Sequence, residues 1–287
     1  MIAAAVGAAS CSLAFDLSRN QCESPDDCKS LGVDDAQCVD NVCVPNTTSS
    51  GGGGAGGGVD PAWACLDGFT PPVVTAPDKI AYPFRFEYAI QPGVVPPGLS
   101  ISLCSSLDVD CTSPVPGTPQ PDADGKVTLE LDPAFDGYIE IGSDDCMPSL
   151  AYLHAPVILP MKEVLIRMIT PSQFQGLVNA AQQTYDDTRG VAVILTSNCQ
   201  DDRTPGVAVT TQDTDAQSVA FYFRGNYPDI QATSTDKEGA AGYLNLPLGI
   251  ITVDASIAET SQFIGESSFR SKAGRITYVP IGPTLPP

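Results

Sequence analysis

Ten cysteines and a single histidine set most of the chemistry open to this 287-residue sequence. Four of the cysteines fall close together, as Cys22-x5-Cys28-x9-Cys38-x4-Cys43, with almost no large apolar side chain among them. Structural zinc prefers paired CxxC knuckles or mixed Cys/His sets, and neither occurs here. Disulfides made in an oxidising compartment fit better, because so small a piece cannot bury a core and needs covalent staples instead. Two bridges are expected among Cys22, Cys28, Cys38 and Cys43, with their connectivity open. Farther along, Cys104 and Cys111 are placed to close a small loop at the end of a strand. Cys65, close to Trp63, has Cys146 or one of that couple as candidate partners. The odd count in this region leaves one cysteine over. Cys199, at the end of an apolar run, is the expected buried free thiol.

Cys11 carries a different chemistry. The small residues Ala8, Ala9 and Ser10 precede it, as in a weak lipobox, where a signal peptidase cuts before a cysteine that is then acylated. The apolar run before it is short and lacks a basic n-region, so residues 1–15 read as a truncated export/lipobox segment; a start site placed too far downstream would explain both faults. The plainer alternative makes Cys11 one more disulfide cysteine. Ser12 is compatible with outer-membrane sorting of the lipidated form.

Catalytic sets are missing. His154 lies in the apolar stretch AYLHAPVIL with no neighbouring acid, which suits a partly buried, satisfied imidazole. There is no G-x-S-x-G elbow, and one histidine cannot build a His-rich metal site. Asp122 and Asp124 sit in a D-x-D-G turn, but the glycine comes too early for an EF-hand loop and no glutamate closes it. Turn aspartates that bond the backbone are the ordinary reading there, as they are for Asp108 and Asp110. The expectation is therefore a non-catalytic protein with no cofactor and no metal. The alternative is a calcium-dependent binder or hydrolase using the acidic loop residues.

Acidic residues number 34 against 14 basic, a formal net charge of −20, with no Lys/Arg-rich stretch to interrupt it. Nucleic acid and anionic membrane surfaces are poor partners for such a chain. Partners are expected among proteins or carbohydrates at the cell surface, with the membrane reached through the lipid on Cys11. The location that follows is exported: outer-membrane-anchored, periplasmic or cell-surface.

The elements that carry these residues divide at the glycine tract Gly51–Gly58, which has no side chains to bury and much backbone entropy to lose. Beyond it the pattern has period two. IAYPFRFEYAI sets Ile80, Tyr82, Phe84, Phe86, Tyr88 and Ile90 on one face, and Pro83 argues for a strand at or near a sheet edge. Leu99–Leu103, Val127–Leu131, Ile139–Ile141 and Val164–Met168 extend the series. One helix is expected, with Thr170 as cap, Pro171 in the first turn, and Phe174, Leu177, Val178 and Ala181 on one face. Short strands then resume in GVAVILT, GVAVTT, VAFYF, DIQATS, GYLNL, GIITVDA and GRITYVPI. The body also repeats. Asp122–Gly125 precedes KVTLELDP, and Asp236–Gly239 precedes AAGYLNLP, with Pro133 and Pro247 at the same distance from each glycine.

In DADGKVTLELDPAFDGYIEI and TDKEGAAGYLNLPLGIITVDA the body resembles the carboxypeptidase regulatory-like family, a prealbumin-type β-sandwich. The likeness covers roughly residues 62 to 283, and the first copy departs more, through an insertion bearing Cys104 and Cys111. The layout is similar to exported, tethered proteins of large-genome Gram-negative bacteria, with a Cys-rich head, a Gly-rich linker and one or two such domains. The resemblance implies an accessory domain without the zinc chemistry of the carboxypeptidase itself. Intradiol dioxygenases share a related sandwich, but their iron needs a second histidine that this chain lacks.

The expected fold is all-β: two tandem Ig-like/prealbumin-like β-sandwiches joined by one helix, preceded by a small disulfide-rich module and a disordered Gly linker. The Cys-rich module spans 16–45 and the Gly/Ser-rich linker 46–60. The first sandwich spans 61–168, the connecting helix 169–189, and the second sandwich, the carboxypeptidase regulatory-like one, 190–287.

Overall fold

The computed structural model describes Ser24 and residues 36–39, 42–45, 61–67, 79–153, 162–225 and 227–283. Cys11, Cys22, Cys28 and His154 lie outside the described residues. The chain divides into two compact units, Met1–Gly57 and Gly58–Pro287. In the first, β1 (Ala36–Val39) and β2 (Val42–Pro45) form an antiparallel hairpin whose register sets Cys38 opposite Cys43. The pairing expected of the four head cysteines concerns side chains that are not described.

The second unit opens on a 3-10 helix, Pro61–Asp67, and continues through strands and a single α-helix among the described residues. Its first half holds β3 (Ile80–Tyr88), β4 (Ser100–Ser105), β5 (Lys126–Leu131), β6 (Gly137–Gly142), β7 (Ser149–Tyr152) and β8 (Val164–Met168). Helix α1 (Pro171–Ala180) follows. The second half holds β9 (Gly190–Thr196), β10 (Val207–Thr210), β11 (Val219–Arg224), β12 (Tyr227–Asp229) and β13 (Ala240–Leu246). It ends with β14 (Gly249–Ile257), β15 (Phe263–Ser271) and β16 (Ile276–Ile281).

Alternation decides the packing. In β3, Ile80, Tyr82, Phe84 and Phe86 are buried, while Ala81, Pro83 and Arg85 on the other face remain partly open. Val127, Leu129 and Leu131 do the same in β5, between exposed Lys126, Thr128 and Glu130. The sheet β5-β3-β8 lays this apolar face on Ile101, Leu103, Ile139 and Ile141 of β4 and β6, making the first core. In the second half, Ala192 and Ile194 of β9, Tyr243 of β13 and Val279 of β16 meet Val207, Val253 and Phe269 of the sheet β10-β14-β15. That is the second core.

The two sandwiches share a sheet. Strand β16 runs parallel to β9 on one side and parallel to β7 on the other, joining eight strands in the order β12-β11-β13-β9-β16-β7-β6-β4. The partner sheets lie on opposite faces of it, since Ile276 and Tyr278 of β16 belong to the first core and Val279 and Ile281 to the second. The strand set is therefore that of tandem sandwiches, while residues 58–287 form one compact unit.

Four expectations change at this level. Pro83 is in the central strand of its small sheet, not at an edge. It is tolerated because pairing to β8 begins only at Phe84, so the missing N–H falls where β3 has no neighbour on that side. Ile90 lies beyond the end of β3 and is exposed. The segment DIQATS forms bends after Asp229 instead of a strand, because Asp229 Oδ1 accepts hydrogen bonds from the amides of Gln231 and Ala232 and turns the chain. The helix is shorter than its expected span. Its start is a capping box, in which Gln173 N donates to Thr170 Oγ1 (3.3 Å) and Thr170 N donates to Gln173 Oε1 (3.1 Å).

Candidate binding groove

Helix α1 lies beside the outer face of the second sandwich's large sheet. That face is formed by Val193 and Leu195 of β9, Phe221 and Phe223 of β11, and Leu244 of β13. Registers place these residues on one side: Gly242 is opposite both Val193 and Phe221, and Val219 is opposite Leu244. A side chain at Gly242 would strike the Phe221 ring and the Ala192 carbonyl, so the glycine lets that ring lie across the sheet. Phe174 and Val178 of α1 are buried against the first core, and Leu177 stays half-buried on the groove side. Among the described residues, the helix covers part of the face only. The remainder is an open groove of about 790 Å³, walled by α1 and the free edge of β8.

Charge is confined to the rim. Lys162 donates to Asp202 (2.6 Å) and to the Gln200 carbonyl (2.7 Å). Arg167 pairs with Glu238 (3.7 Å) and with the buried carboxylate of Glu87 (3.9 Å). Arg203 also lines the groove, in the loop where residue 203 bridges back to Ser197. Its side chain is open to the groove's interior yet surrounded by the walls, and that enclosure lowers the guanidinium from its usual value while Asp201 opposes the shift. Arg203 is exposed in the fold, and its guanidinium stays charged. No ion pair or side-chain hydrogen bond engages Arg203 among the described residues.

The residues singled out from the sequence lie elsewhere. Cys104 and Cys111 are bridged, with Cα atoms 5.4 Å apart, and their loop is fixed by Tyr138, whose hydroxyl donates to the Asp108 carbonyl at 2.7 Å. Asp108 turns its carboxylate onto the amides of Ser113 (2.7 Å) and Thr112 (3.0 Å), which lowers its pKa. Cys199 is not free. It is bridged to Cys65 (Cα–Cα 5.8 Å), because the 3-10 helix carrying Cys65 also buries Trp63 in the second core at the end of β9. The free cysteine among the described residues is Cys146, which is buried, and burial pushes its thiol up to about 11. That thiol is inert at neutral pH.

Asp122 and Asp236, the repeated turn aspartates, act on the backbone. Asp122 Oδ1 accepts from the amides of Asp124 and Lys126, and Asp236 Oδ1 accepts from the amide of Glu238. Gly125 and Gly239 close the two turns at φ +71° and +58°. Among the described residues no group of three or more His, Cys, Asp or Glu is placed to hold a metal ion.

The groove was not among the sites expected from the sequence. One signal for it exists. GVAVILT is apolar at every position but its ends, and VAFYF throughout, so both faces of these strands call for cover. One face is covered by a sheet. The other is covered only in part.

No protein-family model and no curated protein matches the sequence. Among solved structures, similar chains include the TIE protein of Bacillus anthracis, at 11% identity and a TM-score of 0.25, over 72% of this chain and 34% of that one. A streptococcal ancillary pilin is similar at 10% identity and a TM-score of 0.22, over 71% of this chain and 68% of its own. A family CBM26 domain from Eubacterium rectale Amy13K, solved in complex with maltoheptaose, is similar at 8% identity and a TM-score of 0.25, over 72% and 98% of the two chains. At such TM-scores none of these likenesses bears on what this chain binds.

Proposed function

We propose that this chain is a non-catalytic, exported binding protein, held to the cell envelope by a lipid on Cys11 and presenting tandem sandwiches of the carboxypeptidase regulatory-like kind. The Cys-rich head and the glycine tract set the sandwiches away from the membrane. Ligand is held in the groove over β9, β13 and β11. One observation carries this reading: the outer sheet face of the second sandwich is apolar and half open, where a solvated sheet face alternates to polar residues. A cleft of this volume, lined mostly by aliphatic and aromatic side chains together with charged and amide groups, has the composition of small-molecule sites.

The test uses Nile red, a neutral environment-sensitive dye. The full chain should bind it saturably, and Val193→Trp, which fills the groove floor without burying a charge, should abolish binding while leaving the melting temperature within a few degrees. Unchanged dye binding in that variant overturns the reading. Mass spectrometry of the native N-terminus tests the anchor, since the proposal requires diacylglycerol on Cys11.

A further inference from the structure

We infer that the groove takes a free long-chain carboxylate, its head on Arg203 and its chain along the aromatic floor made by Phe221 and Phe223. This rests on the proposed reading of the groove as a ligand site and adds the ligand's chemistry.

The cations at the rim are not equivalent. Lys162 is committed to Asp202 and a backbone carbonyl, and Arg167 to Glu238 and Glu87. Arg203 has no such partner among the described residues, although 34 carboxylates in the chain compete for 14 cations. A guanidinium that lines an apolar cleft with no ion pair or hydrogen bond, Asp201 acting on it only at longer range, is matched by a carboxylate brought with the ligand, which it can take through two parallel N–H donors. Asp201, Asp202, Glu163 and Glu238 line the same rim. Their repulsion doubles for a dianion, so a monoanion on Arg203 is favoured over it. The part of the ligand lying on Val193, Leu195, Leu177, Phe221 and Phe223 is apolar, because these side chains offer no hydrogen-bonding group. A flexible acyl chain suits an apolar groove bounded by a helix and a strand edge.

The experiment displaces Nile red from the full chain with four single-chain amphiphiles of equal length, each below its micellar concentration: dodecanoate, dodecanol, dodecyl phosphate and dodecyltrimethylammonium. Dodecanoate should bind about tenfold or more tighter than dodecanol, as expected for a charge-assisted hydrogen bond. The phosphate, a dianion above its second pKa, should be weaker than dodecanoate at pH 8. Each methylene added to the carboxylate should tighten binding about fourfold until the groove is filled. Arg203→Gln should bring dodecanoate down to the affinity of dodecanol and leave dodecanol unchanged, and Arg203→Lys should recover part of the loss.

Equal binding of dodecanoate and dodecanol, tighter binding of the ammonium, or no effect of Arg203→Gln overturns the inference and leaves the groove as a binding site for something else. Failure of Nile red itself to bind the wild-type chain removes the groove reading and the inference together. A thermal melt of Arg203→Gln that matches the wild type separates a lost contact from lost folding.

Discussion

The two halves of the second unit are built on one strand plan and turn opposite characters outward. In the first, β3 lies between antiparallel β5 and parallel β8; in the second, β9 lies between antiparallel β13 and parallel β16. The facing sheets agree as well, β4-β6-β7 against β10-β14-β15, each antiparallel throughout. The repeated Asp–Gly turns lead into β5 and β13, corresponding strands. Yet the outer face over β3 and β5 shows Ala81, Arg85, Thr128 and Glu130, while the outer face over β9 and β13 shows Val193, Leu195 and Leu244. The first face is solvated and needs no cover. The second is flanked by α1, extended by the added β11–β12 hairpin, and left partly open. Burial explains the inner faces of both halves and part of this second face, since Leu244 belongs to the first core and Val193, Leu195 and Phe221 pack against it; the groove accounts for the part of that face left half-open.

The comparison is broken most severely by testing whether the halves are separate at all. Phe84→Ala in the first core should cost about 3–5 kcal/mol, and Ile194→Ala in the second about 2–5 kcal/mol. Strand β16 contributes to both cores, so each loss should appear in a single urea transition. Trp63, the only tryptophan, is buried in the second core and gives a local readout. Its fluorescence midpoint should fall for Phe84→Ala as far as the far-UV circular dichroism midpoint does. Two separated midpoints would show that the shared sheet does not couple the halves.

A disulfide distinguishes the halves next. The Cys65–Cys199 bridge ties residues 134 apart and belongs to the second half, whereas Cys104–Cys111 closes a short loop on the first. Replacing both Cys65 and Cys199 with serine should cost about 2–4 kcal/mol, and the same change at Cys104 and Cys111 should cost less, because loop entropy grows with length. Chemical denaturation of the two double variants decides the order. The reverse order would mean that the short loop supports Tyr138 and the outer face of β6 more than loop entropy suggests.

Much of this plan was legible in the chain because alternation is a local signal. The period-two runs of β3 and β5 and the matched Asp–Gly turns needed no tertiary information. What escaped shares one cause, dependence on distant partners. Strand β15, FIGESSFRS, is too polar on its outer face to stand out, and it is held by β14 across a register shift between Ala255 and Ser256. Strand β7 is four residues long and owes its place to β6 and β16. Cys199, expected as a buried free thiol, is half-buried and bridged, and its partner comes from a segment 134 residues away, which no local pattern reveals. The groove escaped for the same reason. A strand apolar on both faces shows that two covers are needed, and only the fold shows that one cover is incomplete.

A smaller effect sharpens the contrast at the groove itself. Leu195→Lys gives the second outer face the character of the first. Leu195 is only half-buried, so the stability cost should be about 1 kcal/mol. Nile red binding should be lost. Thr170→Ala removes the helix cap and should also cost about 1 kcal/mol, while loosening the groove wall instead of changing its floor. Its dye affinity should weaken without vanishing. Equal loss in both variants would assign the site to the helix and not to the sheet.

The finest comparison is in the titrating groups, where the halves use different partners to the same end. In the first, the Tyr88 hydroxyl donates to Asp145 at 2.5 Å, which lowers the Asp145 carboxyl and pushes Tyr88 up to about 12. In the second, the Arg189 guanidinium beside Asp215 (2.7 Å) lowers that carboxyl. Folded values below the unfolded one mean that each carboxylate stabilises the fold above about pH 4 and that this contribution is lost as pH falls through the lowered values. At the alkaline end the sign reverses. Burial raises Tyr138 in the first half and Tyr222 and Tyr243 in the second, so the neutral phenols stabilise the fold below about pH 10, and that contribution declines as pH rises toward their folded values. Melting temperature against pH should therefore fall below about pH 4 and again above about pH 10, with tyrosinate absorbance rising together with unfolding in the alkaline limb. Tyr88→Phe should return Asp145 toward the ordinary carboxylate range in a carbon-detected NMR titration and leave Asp215 where it is. Movement of both carboxyls in that variant would mean that the shared sheet transmits the change from one half to the other.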